Sequence, residues 1–336
     1  MDVLSQDPVS SIQLKSDRLF VEIAVPGSVY GGTRFDWSGF ITQVTLDGKH
    51  TFCVPESLKE GEGTGGIGIC NEFGNEKTVG FEDARPGDLF PKLGIGLLRR
   101  PDKEGYNFFH PYEIAQPFHI QVEETENQAR FVVDPLDCRG YAAQLTKTVS
   151  LRSNELLVEY HLKNVGSRLI DTHEYCHNFI GINGQAVSPD YHLRLPYHVA
   201  LEDMRPSFRV MFRKMGPVLL RKYAPDFLLN RLVDRYIQRM TEVLDFRGGH
   251  IHFLYRPESP FFCRLQGFAL TQSPQWDLLH IPSEVGMREY DDFPPARVAI
   301  WGTTHVISAE VFVDIRLQPG ESQSWSRRFE FLAPMD

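Results

Sequence analysis

The stretch Asp171 to Asn183, D-T-H-E-Y-C-H-N-F-I-G-I-N, decides how this chain is read. In a strand, successive side chains point to opposite faces. His173, Tyr175, His177 and Phe179 then share one face, and Glu174, Cys176, Asn178 and Ile180 share the other. Two imidazoles, a phenol and a phenyl ring fill a core poorly, because the polar ring tips need partners when buried. They suit the floor of a polar cleft with stacking surface.

Strand signals extend in both directions. Upstream, Phe118–Glu123 and Val158–Lys163 alternate apolar and polar, with Ser153-Asn154 as a hairpin turn. Residues 18–25 read as a strand and 35–54 as a hairpin, with Asp47-Gly48 supplying the positive-φ turn. Downstream, 249–256 and 262–270 read as strands. In Val306–Leu317, Ala309, Val311, Val313, Ile315 and Leu317 form one face and Glu310, Phe312, Asp314 and Arg316 the other. A turn at Gln318–Ser322 leads into a last strand ending at Leu332, while Asp277–Phe293 reads as loop-rich, with Tyr290, Asp291, Asp292 and the preceding Trp276 as candidate ligand contacts. One segment breaks the pattern. Leu229, Leu232, Val233, Tyr236, Ile237, Met240, Val243 and Leu244 recur at helical spacing after an Ala224-Pro225-Asp226 start, and a shorter helix reads over Ser207–Tyr223. The prediction is one all-β domain over residues 1–336, with a helical insertion at 205–245.

Composition narrows the function classes. The chain has 336 residues, 42% hydrophobic and 24% charged, which suits a globular core. A net charge of −9 argues against nucleic-acid binding, which needs phosphate-neutralising surface. No apolar run is long enough for a transmembrane span. Cys53, Cys70, Cys138, Cys176 and Cys263 are odd in number and lack C-x-x-C spacing, and the N-terminus shows no secretory pattern; both point to reduced thiols and a cytoplasmic location. Gly63, Gly65 and Gly68 satisfy G-x-G-x-x-G, but no strand precedes them and Ile69–Gly74 is a poor helix former, so no nucleotide loop is predicted. His250 and His252 share a strand face at a spacing metals use, yet no third ligand is evident, so neither metal nor other cofactor is expected. The insertion is rich in Arg and Lys. Its apolar stripe reads as cover for a sheet face or as the seam of a homodimer, and its basic surface as a membrane- or partner-docking face.

Four segments, in order along the chain, resemble the aldose 1-epimerase (galactose mutarotase-like) superfamily. Gly31–Trp37, G-G-T-R-F-D-W, resembles its opening hairpin, and Gly65–Gly74, G-G-I-G-I-C-N-E-F-G, resembles the hexose-6-phosphate mutarotase branch. Tyr175–Phe179, Y-C-H-N-F, is similar to its T-N-H-x-Y-F segment, and Glu310–Glu321 resembles the stretch in which a glutamate precedes an L-x-P-G-E turn. The resemblance implies a large antiparallel β-supersandwich that interconverts sugar anomers, with His177 as general acid and Glu310 as general base. Leu93 stands where that branch has a histidine, so either a sugar-hydroxyl contact is missing or Lys92, Arg99 or His110 supplies it differently. Glu72, His173, Tyr175 and Trp276 complete the candidate substrate-binding set, and Lys92, Arg99 and Arg100 are candidates for a phosphate or carboxylate on the sugar.

This chemistry needs an acid and a base on opposite sides of a small-molecule sugar or sugar derivative, each contributing roughly 10²–10⁴-fold. It predicts a cationic His177 and an ionised Glu310. The alternatives are a non-catalytic carbohydrate-binding protein of the same fold and a membrane- or partner-docking protein working through the basic helices.

Overall fold

A computed structural model describes residues 11–195, 198–209, 225–268 and 275–334. Two ten-stranded sheets face each other, with a third, three-stranded sheet beside them, and every strand pairing is antiparallel. In the first sheet Gly68–Phe73, Ile170–Phe179, Ile307–Leu317 and Arg297–Gly302 lie side by side at the centre. In the second, Val285–Asp291, Ser322–Leu332, Glu155–Asn164 and Ala143–Arg152 do so. The small sheet joins Leu89–Lys92, Gly96–Arg99 and Glu113–Pro117.

Burial follows from which faces are covered. Ala143–Arg152 alternates buried and half-buried, as a sheet with one wet face should. Ile170–Phe179 does not alternate: beyond Asp171 every residue is buried, so both of its faces are covered. Ile307–Leu317 is buried from Ile307 to Val313 and then exposes Asp314 and Arg316. Alternation is lost where the charged and aromatic cluster described below covers the outer face.

The face of Ile170–Phe179 turned to the second sheet holds a buried polar layer. Glu174 accepts from Asn71 Nδ2 at 2.6 Å, Arg327 Nη2 at 2.9 Å and Trp325 Nε1 at 3.1 Å. Arg327 Nη1 also meets Glu289 and Asp291, each at 3.1 Å. Burial pushes the carboxyls of both Glu289 and Asp291 upward. Nearby, Lys147 donates to Asp36, Ser38 O and Asn71. Charges this deep persist only when paired and hydrogen-bonded.

The turn expectations hold: Asp47 and Gly48 have φ of 52° and 65°, and Ser153 has φ of 52°. The helix spans Asp226–Thr241, and its stripe of Leu229, Val233, Ile237 and Met240 packs into the main core beside Phe261–Gln266. The stripe therefore covers a sheet. Of the shorter expected helix, Ser207–Tyr223, residues 207–209 are helical, within a turn that begins at 205, and the rest lies outside the described residues. One expectation is corrected: Asp277–Phe293 is not loop-rich but holds most of the strand Gln275–His280 and all of Val285–Asp291. Asp291 is committed to Arg327, and Asp292 accepts from Ser326 N and Oγ.

Candidate active site

The register of the two central strands brings His177 and Glu310 together. Tyr175 pairs with Phe312 on one side and Ile180 with Ile307 on the other, which sets position 177 opposite 310. His177 Nε2 lies 3.4 Å from Glu310 Oε1. Both side chains point away from the polar layer, onto the outer face of the first sheet. The His177 ring stacks on Phe179 at 3.9 Å between centroids and meets Phe35 and Trp301 edge-on at 5.9 and 5.2 Å. These rings leave the histidine and glutamate side chains 3% and 7% exposed. His177 Nδ1 has no hydrogen-bond partner in this setting. A buried, unpartnered polar atom costs free energy and is a recurrent mark of functional sites.

Protonation differs from the expectation. Burial, reinforced by the Arg34 cation, pushes His177 well below the ordinary imidazole range. Burial pushes Glu310 up to about 7, against the pull of Arg34 and Arg297. These shifts favour a neutral His177 over the expected imidazolium and bring the ionisation of Glu310 close to neutrality, instead of the expected settled carboxylate. Below about 7 the pair can hold one proton, so one member could give while the other takes. The two groups lie 3.4 Å apart, closer than an acid and a base flanking a sugar would stand. An anomeric hydroxyl and the ring oxygen are bonded to one carbon, so adjacent groups above that carbon can address both.

A charged cluster borders the pair. Arg34 donates through Nε to Glu72 at 2.8 Å, through Nη1 to Thr64 Oγ1 at 3.0 Å and through Nη2 to the Tyr175 hydroxyl at 3.0 Å. Tyr175 donates to Glu72 Oε2 at 2.6 Å and stacks on Phe312 at 4.3 Å. Lys92 donates to Phe73 O at 2.7 Å and lies 3.7 Å from Glu72; burial lowers its ammonium to about 8. The glycine-rich segment closes over this cluster. Its Thr64 and Gly66 amides donate to Glu56, and a Cβ on Gly66 would lie 2.3 Å from the Phe179 ring. The strand Gly68–Phe73, not a helix, follows it.

The other candidates divide clearly. Tyr175, Glu72 and Lys92 join His177 and Glu310 in one cluster. His173 lies on the same strand face, 5.6 Å from Phe312, with Nε2 on Asn75 Oδ1 at 2.5 Å; burial and Arg297 lower it to about 3. His110 is exposed, edge-on to Tyr112. Trp276 is in the main core between the sheets, and so is Leu93. Arg99 is partly exposed and paired with Glu113 and Gly87 O. Arg100 spends its donors on the carbonyls of Phe81, Ala84, Asp102 and Glu104. Lys92, Arg99 and Arg100 thus point to three different places and form no anion cradle. Sequence reasoning did not assign roles to Arg34, Trp301 or Arg297, whose guanidinium lies 3.8 Å from the Phe312 ring centroid. Arg34 stood inside a segment already singled out; Trp301 and Arg297 carried no signal, since only strand register brings them here.

No protein-family model and no curated protein matches the sequence. Solved structures do match in fold. A galactose mutarotase-related enzyme from Lactobacillus acidophilus superposes with a TM-score of 0.56 at 11% identity, over 97% of this chain and 98% of that one. A galactose mutarotase-like protein from Lactobacillus casei gives 0.54 at 13%, over 96% and 100%. An aldose epimerase homologue from C. elegans gives 0.51 at 12%, over 96% and 98%. The fold is therefore the galactose mutarotase-like β-sandwich across essentially the whole chain. Identities this low establish the fold and leave the chemistry to be argued from the site.

Proposed function

We propose that this protein interconverts the anomers of an aldose, with His177 and Glu310 acting as a one-proton acid–base pair. The observation that carries the reading is their 3.4 Å contact on adjacent strands, walled by aromatic rings. The ring oxygen gains a proton as the C1–O5 bond breaks, and the anomeric hydroxyl loses one to give the open aldehyde. Rotation about C1–C2 and reclosure deliver the other anomer. The proton taken replaces the one given, so the pair ends with the same number it began with. Arg34, Glu72 and Tyr175 supply the adjoining polar contacts, and the half-buried Trp301 supplies ring surface for the apolar face of a pyranose. Polarimetry on free hexoses tests this: acceleration abolished in His177→Ala supports it, and no acceleration by the parent protein defeats it.

A second reading is carbohydrate binding without turnover. It is favoured by Leu93, whose side chain is in the core instead of offering a polar contact to the sugar. Binding measured beside polarimetry separates the two, since saturable sugar binding with no accelerated mutarotation selects the second. The docking reading has less support, because the apolar face of Asp226–Thr241 is already used on a sheet. Among the described residues no helix is long and apolar enough to cross a membrane.

A further inference from the structure

The outer face of the second sheet carries a feature that the anomer chemistry does not use. Three neighbouring strands, Leu244–Arg247, His250–Phe253 and Tyr191–Arg194, place Arg247 opposite His250 and His250 opposite Arg194. The next two strands continue the row with Asp277 opposite Arg194 and Arg288 opposite Asp277. Two residues along, on the same face, His192 faces His252, with ring centroids 4.8 Å apart. Basic side chains directly across from one another repel, and a sheet tolerates them at a cost in stability. Burial, then His192, Arg247 and His250, push the His252 imidazole downward, as a locally positive field should.

A cavity of about 350 Å³ opens on this row, lined by Arg194, His198, His250, Gln275 and Asp277. That volume falls within the range of small-molecule sites, about 300–1,000 Å³. The lining carboxylate is already engaged from both sides. Asp277 Oδ2 accepts from Arg194 Nε at 2.8 Å and also from its Nη2, and Oδ1 accepts from Arg288 Nε at 2.5 Å. Arg194 Nη1 takes no part in that pair. Arg247 is held by Asp245 at 2.6 Å, on its own strand. Among the described residues no three His, Cys, Asp or Glu side chains are grouped to hold a metal ion, so the imidazoles do not make a metal site.

We propose that this cavity binds a small oxyanion, a phosphate or phosphate-sized group on a small molecule, with Arg194 as its principal donor and His198 and His250 as flanking donors. A guanidinium fixed by a carboxylate on one edge presents its remaining N–H groups in a set orientation, which is the arrangement that suits oxyanion recognition. The site lies on the opposite outer face of the sandwich from His177 and Glu310, so it stands or falls separately from the anomer reading.

The experiment titrates the full chain with inorganic phosphate, sulfate and acetate at constant ionic strength, followed by calorimetry and by the histidine ring resonances. Saturable binding of phosphate and sulfate, stronger than that of acetate, is expected, with shifts at His198 and His250. Arg194→Gln should weaken it by about ten-fold, the usual scale for one charge-assisted contact. His250→Gln breaks no ion pair in the fold and should also weaken it. Absence of saturable binding in the parent, equal affinity for acetate, or unchanged binding in both variants would overturn the proposal. Binding lost in His177→Ala but kept in Arg194→Gln would place the anion at the other site and overturn it as well.

Discussion

The two faces of Ile170–Phe179 are both buried and both polar, yet they are built to opposite ends. On the inner face Glu174 has each oxygen engaged, by Asn71 on one and by Arg327 and Trp325 on the other. On the outer face His177 has one nitrogen without a partner and the other only 3.4 Å from a carboxyl oxygen. A satisfied charge adds to the specificity of the packed state. An unsatisfied buried polar atom is kept at a cost, and that cost is explained if a ligand completes it. Three residues apart on one strand and on opposite faces, Glu174 is tied into the structure, and the proposed chemistry falls to His177.

The sharpest way to break that contrast is to delete one group from each face. His177→Ala is expected to lower kcat/KM for mutarotation by about 10²–10⁴-fold. Its stability should fall too, because the ring lost from among Phe35, Phe179 and Trp301 leaves a cavity, but by less than when a buried charge loses its partner. Glu310→Gln should give a similar loss of rate. Glu174→Ala should do the reverse and destabilise the fold by about 3–5 kcal/mol, since Arg327 loses a buried partner. Kinetics and urea unfolding on the three variants check this. A His177→Ala protein with parental kcat/KM would end the catalytic reading of the outer face.

The same contrast explains what was legible in the sequence. Strands with one wet face could be read directly: Val158, Tyr160 and Leu162 are buried while Glu159, His161 and Lys163 are exposed, so polarity and direction agree. Asp277–Phe293 misled because Glu289 and Asp291 are buried and face the core, so charge no longer marks the outside. Lys92 is buried in the same way, its ammonium held at 1% exposure by Glu72 and the Phe73 carbonyl. The His177–Glu310 pair came from resemblance and strand order. Arg34 could not be placed, because its partners Glu72 and Tyr175 lie 38 and 141 residues away.

Acidity gives a subtler test of the outer face. With His177 pushed well below 6.5 and Glu310 up to about 7, the pair carries its single proton below about pH 7 and is losing it at neutrality. As pH rises past about 7, Glu310 ionises and no proton is left to give, so kcat/KM should fall up to about ten-fold per unit. The stability signs follow from the same shifts. Glu310, raised from 4.5, contributes fully below that value and loses its contribution as pH rises through about 7. His177, lowered, contributes fully above 6.5 and loses its contribution as pH falls toward its folded value. Rate profiles of the parent and Glu310→Gln check this; a parent rate still rising above pH 8 would mean that Glu310 does not hold the working proton.

The smallest expected effect tests whether Tyr175 belongs with the chemistry or with its support. Its hydroxyl donates to Glu72 and accepts from Arg34, which bonds the same Glu72 oxygen through Nε at 2.8 Å. Tyr175→Phe keeps the stack on Phe312 and removes one member of that triangle while leaving the other two joined. The cost should be about 1–2 kcal/mol in stability, the scale of a buried hydrogen bond to charged partners. The fall in kcat/KM should stay within about ten-fold, appearing in KM more than in kcat, because the residue orients Arg34 and Glu72 without moving a proton. A kcat loss matching that of His177→Ala would instead put the phenol on the reacting sugar. The line between the holding and the reacting parts of this strand would then have to be redrawn one side chain earlier.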